Sequence, residues 1–157
     1  DMNDVIVIDS PPHAEMDIKV STRAADIVVV PIQPSPADLW AVHETMKTIQ
    51  SENRNAIAVM NRVVPRANIT QEIMTKLKLL DVPLASTVVG SRTRFASSLE
   101  EGKTVLDDSM TKSSAEINAL ALEVAEKIGL KWGKAKTERT KGTLGIATAE
   151  PKIKKVA

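Results

Sequence analysis

The sequence predicts an α/β fold, a mostly parallel sheet with helices on both faces. Two observations carry this. Segments suited to strands alternate with segments suited to helices along most of the chain, the order expected of parallel strands joined by right-handed crossovers. The strand segments are also continuous β-branched runs, as in strands buried on both faces.

The first such run is Val5-Ile6-Val7-Ile8, followed at once by Asp9-Ser10-Pro11-Pro12. It predicts a central strand whose closing carboxylate sits at the carboxyl end, the edge where open α/β sheets bind ligands. A nucleotide-bound magnesium needs a carboxylate so placed. The same residues would equally make a buried strand that ends in a capping aspartate. A central strand so close to residue 1 suggests that further sequence lies upstream, so the sheet is expected to be incomplete at its N-terminal side.

His13 to Ala25 has poor periodicity and reads as a loop with a short helix. Asp26 to Ile32 is a second β-branched run, broken by Gln33-Pro34-Ser35-Pro36. Ser35 is placed to cap a helix, with Pro36 at its first position and Asp38 completing a capping box. That helix runs to about Ser51 with Leu39, Val42, Met46 and Ile49 on one face. Asn55 to Asn61 predicts a third strand. Ile69, Ile73, Leu77 and Leu80 space a helix over about 68–80, and Leu84 to Val89 predicts a fourth strand. After a turn at 90–93, a short helix is expected over 94–101, closed by Gly102. Ser109 or Thr111 caps a last helix to Ile128, with Ile117, Leu120, Val124 and Ile128 as its apolar stripe. From Lys131 the pattern fails, and residues 131–157 read as a basic, disordered tail behind a domain of residues 1–130.

Composition narrows the function classes. Apolar residues make 43% and charged residues 26% of the 157, an ordinary globular balance. There is no cysteine, which excludes disulfides, thiolate zinc sites and cysteine-ligated clusters. Aromatics are limited to Trp40, Phe95 and Trp132, too few for a base-stacking platform. No apolar run approaches the roughly 18 residues of a membrane span. A cytoplasmic location is the default expectation. The formal charge of +1 is unevenly spread: residues 131–157 carry eight Lys/Arg and two Glu, so residues 1–130 are mildly acidic.

With these segments in hand, a family can be named. Val5–Pro12, then Arg23-Ala24-Ala25-Asp26-Ile27-Val28-Val29-Val30-Pro31, then Gln33-Pro34-Ser35-Pro36-Ala37-Asp38-Leu39-Trp40 resemble the ParA-type partition ATPases, the deviant-Walker-A group of P-loop ATPases. Asn61-Arg62 and Gly90-Ser91-Arg92-Thr93-Arg94-Phe95 follow in the family's order, so the resemblance covers roughly residues 4–128. It implies a P-loop NTPase-like sheet, ATP with Mg2+, an ATP-sandwiched homodimer, nonspecific DNA binding and a centromere-binding ParB-like partner. It also implies a cytoplasmic, nucleoid-associated protein. Pro151 interrupts the tail and its few apolar residues form no stripe, so the tail reads as a poor membrane anchor, which argues against a MinD-like relative from the family's membrane-targeting branch.

By that resemblance Asp9 is the acidic Walker B residue, acting on magnesium through water. Ser10, Pro11 and Pro12 form the switch that senses the γ-phosphate. Asn61 hydrogen-bonds the adenine, and Arg92 and Arg94 lie near the DNA-facing surface. As residues alone, Asn61 is equally an ordinary turn residue, and each arginine equally a solvated one.

The sequence departs from the family in one large respect. The glycine-rich P-loop and its lysines stand upstream of the Walker B strand in the family, whereas the first glycine here is Gly90. The expectation is therefore a carboxyl-terminal portion. Gly102-Lys103-Thr104 imitates the end of a Walker A motif, but that motif needs glycine at 97, where Ser97 stands. It reads instead as the end of a helix. The alternative function is a non-catalytic DNA- or partner-binding module derived from the same fold.

Overall fold

β2 (Asn55–Met60) is the buried centre of the molecule, paired in parallel with β1 (Ile27–Ile32) in the register Ile27 to Asn55 through Ile32 to Met60. The structure, a computed structural model, describes residues 5–9, 15–108 and 111–130. The expected switch residues Ser10, Pro11 and Pro12, the loop residue His13, the alternative cap Ser109 and the basic tail lie outside the described residues.

Side chains alternate across a strand, so β2 serves two cores at once. Ala58 and Met60 face one cluster with Leu39, Val42, Met46, Ile73 and Leu77. Ile57 and Val59 face the other with Ala85 and Val89. The first cluster is closed by α2 (Pro36–Ser51) and α3 (Asn68–Leu79), the second by α4 (Thr93–Glu100) and α5 (Lys112–Lys127). Helices thus lie on both faces, as the fold class requires. α1 (Glu15–Ala24) joins through an ion pair between Arg23 and Glu52 just past α2, at 2.6 Å.

α2 has the expected span and buries Leu39, Val42, Met46 and Ile49. Ser35 Oγ accepts from the Asp38 backbone N–H, as a cap should. The other half of the expected capping box is redirected. Asp38 Oδ2 accepts from Gln33 N–H at 2.6 Å, because Ser35 N–H is already spent on Gln33 O.

β1 is covered unequally. Ile32 is buried in the first cluster, whereas Val29 and Pro31 on the other face are exposed. Asn61 donates its backbone N–H to Ile32 O at 2.7 Å. In a parallel ladder a residue's N–H and C=O point the same way, so even-numbered residues of β1 address β2 and odd-numbered ones, Pro31 included, address the outer edge.

Two expected strands are corrected. Residues 5–9 form no strand, and Val5 to Ile8 are exposed, with Val7 at 87%. β-branched residues favour the extended state only where neighbours cover them, and no described strand pairs with this segment. The fourth strand is reduced to two isolated bridges, Leu84 to Ala58 of β2 and Gly90 to Val63 past its end. Ala58 O accepts from Ala85 N–H, but Met60 O accepts from Val89 N–H, so two extra residues loop out. The amides of Ser86 and Thr87 go instead to the carboxylate of Glu123 on α5, at 2.7 and 2.9 Å.

The Gly102-Lys103-Thr104 segment is a helix stop. Gly102 has φ +67°, its N–H reaches Leu99 O, and Lys103 N–H reaches Ser98 O, the paired bonds of a Schellman end. Thr104 then caps the 3₁₀ turn Val105–Asp107. α5 starts at Thr111, whose hydroxyl and that of Ser114 cap each other's backbone. Its expected stripe is only partly covered: Ile117 and Leu120 pack on the second cluster, and Ile128 is exposed.

Candidate functional site

The carboxyl ends of β1, β2 and the irregular stretch after Leu84 open onto one groove of about 1010 Å³. Ile8, Asp9, Val29 and Pro31 line one part of it. Asn61 and Arg62 lie at the end of β2, and Gly90, Ser91, Arg92 and Phe95 form the opposite rim. Asp9 and Asn61 are 52 positions apart in sequence and share this hollow because parallel strands deliver their carboxyl ends to one edge. Exposure of the odd face of β1 is what leaves the hollow open.

Asn61 is held from both sides. Its backbone N–H is fixed on Ile32, and its Oδ1 accepts from the Arg62 N–H at 2.9 Å. Arg62 takes φ +52°, the left-handed conformation that turns the chain away at the strand end and leaves its side chain exposed. Asn61 therefore presents its amide toward the groove on a backbone with little freedom. A carboxamide offers both a donor and an acceptor to a purine edge.

The opposite rim is organised by Glu116 of α5. Its carboxylate accepts from Gly90 N–H at 3.1 Å and from Arg92 Nε at 3.0 Å, and it also meets Arg92 Nη2. The Arg92 guanidinium holds the Glu116 carboxyl below the usual range, against the opposing effect of burial, and the Gly90 N–H adds to it. The guanidinium packs over Gly90, where a Cβ would come within 3.1–3.2 Å of three of its atoms.

Arg94 lies apart from the groove's lining. It pairs with Glu101 at 3.4 Å and Asp108 at 3.7 Å, and its Nε is buried without a hydrogen-bond partner. Both arginines expected at a DNA-facing surface are thus engaged by carboxylates. Asp9, Asn61 and Arg92 are brought together, Arg94 is not, and Ser10 to Pro12 lie outside the described residues.

Sequence reasoning missed Glu116 and Glu123. The signal was present: two glutamates seven residues apart, two helical turns, flank the Ile117–Leu120 stripe. Carboxylates on the core-facing side of a helix call for partners.

A second hollow of about 460 Å³ lies between α2 and α3, lined by Leu39, Trp40, His43, Lys76, Leu79 and Leu80. It has no carboxylate to hold a metal. Among the described residues no cluster of three or more His, Asp or Glu suits a metal ion. No helix among the described residues is long and apolar enough to cross a membrane.

No family model matches the chain. Over 130 residues it is 32% identical to the maintenance of carboxysome distribution protein A of Halothiobacillus neapolitanus, a match covering 78% of this chain and 60% of that protein. The chain thus spans about 60% of the length of that curated relative. The MinD cell division protein of Aquifex aeolicus superposes with a TM-score of 0.59 at 12% identity, over 69% of this chain and 47% of that one. This second likeness shows the fold, an α/β sheet of the P-loop NTPase kind.

Proposed function

We propose that this chain is the carboxyl-terminal part of a ParA/MinD-type ATPase that positions a cargo. The observation that carries the reading is the convergence of Asp9, Asn61 and the 90–92 rim on one groove at the carboxyl edge of a parallel sheet. One named relative maintains the distribution of a cellular body, which supports a positioning role for this chain as well.

The residues present fit two ends of a magnesium nucleotide. Asp9 supplies a hard oxygen suited to a hydrated magnesium ion, and Asn61 supplies the amide for a base. The phosphates need converging backbone N–H groups. At the groove, Gly90 N–H is already taken by Glu116, and the positive-φ glycines Gly102 and Gly129 end helices. In the proposed whole protein an upstream segment supplies that cradle. When bound, magnesium neutralises phosphate charge as it develops in the transition state. Asp9 would hold the hydrated ion and Asn61 would bind the base, and Ser10–Pro12, outside the described residues, are the proposed γ-phosphate switch.

ATP-dependent homodimerisation, nonspecific DNA attachment and release by a ParB-like partner follow as parts of the same proposal. Binding energy of the nucleotide drives the dimer by linkage. Arg92 and Arg94 are the proposed DNA contacts. Phosphate must compete there with Glu116, Glu101 and Asp108, so binding is expected to be weak per site and salt-sensitive.

Among the described residues no free phosphate cradle lines the groove, and a second reading is a non-catalytic DNA- or partner-binding module. Hydrolysis assays separate the two. In the longer protein Asp9→Ala should lower magnesium-dependent ATP hydrolysis by about 10²-fold or more, and unchanged turnover would sink the assignment. Residues 1–157 alone should show no turnover, and robust magnesium-dependent hydrolysis from them would refute the carboxyl-terminal reading.

A further inference from the structure

We propose that the recess between α2 and α3 is a docking site for an acidic amphipathic helix of a partner protein. It shares no lining residue with the groove at the carboxyl edge, so it stands apart from the nucleotide reading.

The two helices each carry apolar surface beyond what they bury. α2 buries Leu39, Val42, Met46 and Ile49 but leaves Trp40 74% exposed. α3 buries Thr70, Ile73 and Leu77, while Leu79 and Leu80 at its end are 81% and 43% exposed. With Leu39, His43 and Lys76 these side chains line one recess of about 460 Å³. Single exposed apolar residues are ordinary on a protein surface. Three large ones from two helices around a common recess mark an interaction site. A furrow between packed helices accepts the ridge of side chains along a third, spaced i, i+3, i+4 and i+7.

Charge selects the occupant. No carboxylate lines the recess, and Lys76 supplies its only permanent charge. Among the described residues the Lys76 side chain has no hydrogen bond or ion pair. Glu44, one residue past His43, is turned to Lys47 at 2.9 Å. A carboxylate delivered beside Lys76 therefore gains a charge-assisted partner, while its apolar neighbours displace water from Trp40 and Leu79. A lysine delivered there meets a like charge.

The same charge argues against two occupants that this chain could supply. Residues 131–157 carry eight Lys/Arg against two Glu, so the tail is repelled. A second copy docked about a two-fold axis would bring both Lys76 side chains to one apolar interface. A bilayer needs apolar side chains that stand out as one face, whereas these surround a recess.

The test uses the 157-residue chain with Trp132→Phe, which leaves Trp40 as its one tryptophan. Two synthetic helical peptides are the probes. Both carry leucine at i, i+3, i+4 and i+7; one has glutamates flanking that face and the other lysines. The acidic peptide should move Trp40 emission to shorter wavelength. It should bind about tenfold or more tightly than the basic one at low salt. Lys76→Glu, at an exposed position, should reverse that order. Lys78→Glu, the same charge change outside the recess, should not. Leu79→Ser should weaken the acidic peptide severalfold. Equal affinity for the two peptides overturns the inference, as does the absence of a shift with either. So does an order that Lys76→Glu leaves unchanged or that Lys78→Glu reverses equally. A shift that grows with protein concentration alone would assign the face to a second copy. One given by phosphatidylglycerol vesicles but not by the acidic peptide would assign it to a membrane. Either result also overturns the inference.

Discussion

The Glu123 carboxylate on α5 lies 2.7 Å from the backbone nitrogen of Ser86, 37 residues earlier in the chain. Its other oxygen takes the N–H of Thr87. One side chain thus satisfies two successive backbone amides that β2 does not reach. Glu116, two turns earlier on the same helix, does the same for Gly90. α5 therefore holds the irregular stretch in place with two carboxylates rather than by apolar packing alone.

Removing one of them should loosen that stretch. Glu123→Ala leaves two amides without their charge-assisted partner, and water can reach part of the site because Ser86 is exposed. A loss of about 1–2 kcal/mol is expected, read as a lower urea midpoint with an unchanged slope. Glu123→Gln, which keeps an acceptor oxygen, should lose less.

Acid should destabilise the chain through the same two residues. At Glu123, burial pushes the carboxyl up, but the N–H groups of Ser86 and Thr87 outweigh it and the net displacement is downward. Glu116 is lowered by Arg92. A carboxyl lowered on folding contributes stability above its unfolded value of about 4.3, and that contribution is lost as pH falls through the folded value. Urea midpoints measured between pH 6 and pH 3 should fall most steeply below about pH 4.3. The double variant Glu116→Gln with Glu123→Gln should flatten that fall; an unchanged slope would show that other carboxylates dominate.

Gly102 gives a conformational test free of packing. Its φ is +67° and a Cβ there would meet nothing within 4 Å, so Gly102→Ala isolates the cost of the left-handed backbone. About 1 kcal/mol is expected, a fall of roughly 2–4 °C in Tm for a chain of this size. Gly102→Asn should cost less, because asparagine tolerates that conformation better. A fall equal to that of alanine would contradict the assignment.

What was legible in the sequence was local or periodic. α2 was readable in span and buried face because Ser35-Pro36 fixes its start and the four apolar residues repeat at helical spacing. The two-faced burial of β2 was readable from its unbroken apolar run. The end of the 84–89 strand was not, since the competitor for its amides sits more than thirty residues away on α5. The run Val5–Ile8 has the composition of a central strand, but a strand needs a neighbour, and no described strand lies beside it. The site divides in the same way. The rule that ligands gather at the carboxyl edge puts Asp9 and Asn61 at one edge, and both line the same groove. The capture of Arg92 by Glu116 depends on a long-range meeting that no short motif encodes.

Pro31 carries a consequence for how this molecule meets others of its kind. It stands inside β1 with its missing N–H on the side away from β2, the side that no described strand covers. An exposed strand margin is ordinarily a template on which another chain extends the sheet. Here an incoming strand could take hydrogen bonds from Ile27 and Val29, but it would lose its next donor at Pro31. The ladder would stop short of the groove. Proline so placed limits edge-to-edge aggregation, and it leaves the last turn of β1 to be met by side chains or by a ligand rather than by another backbone.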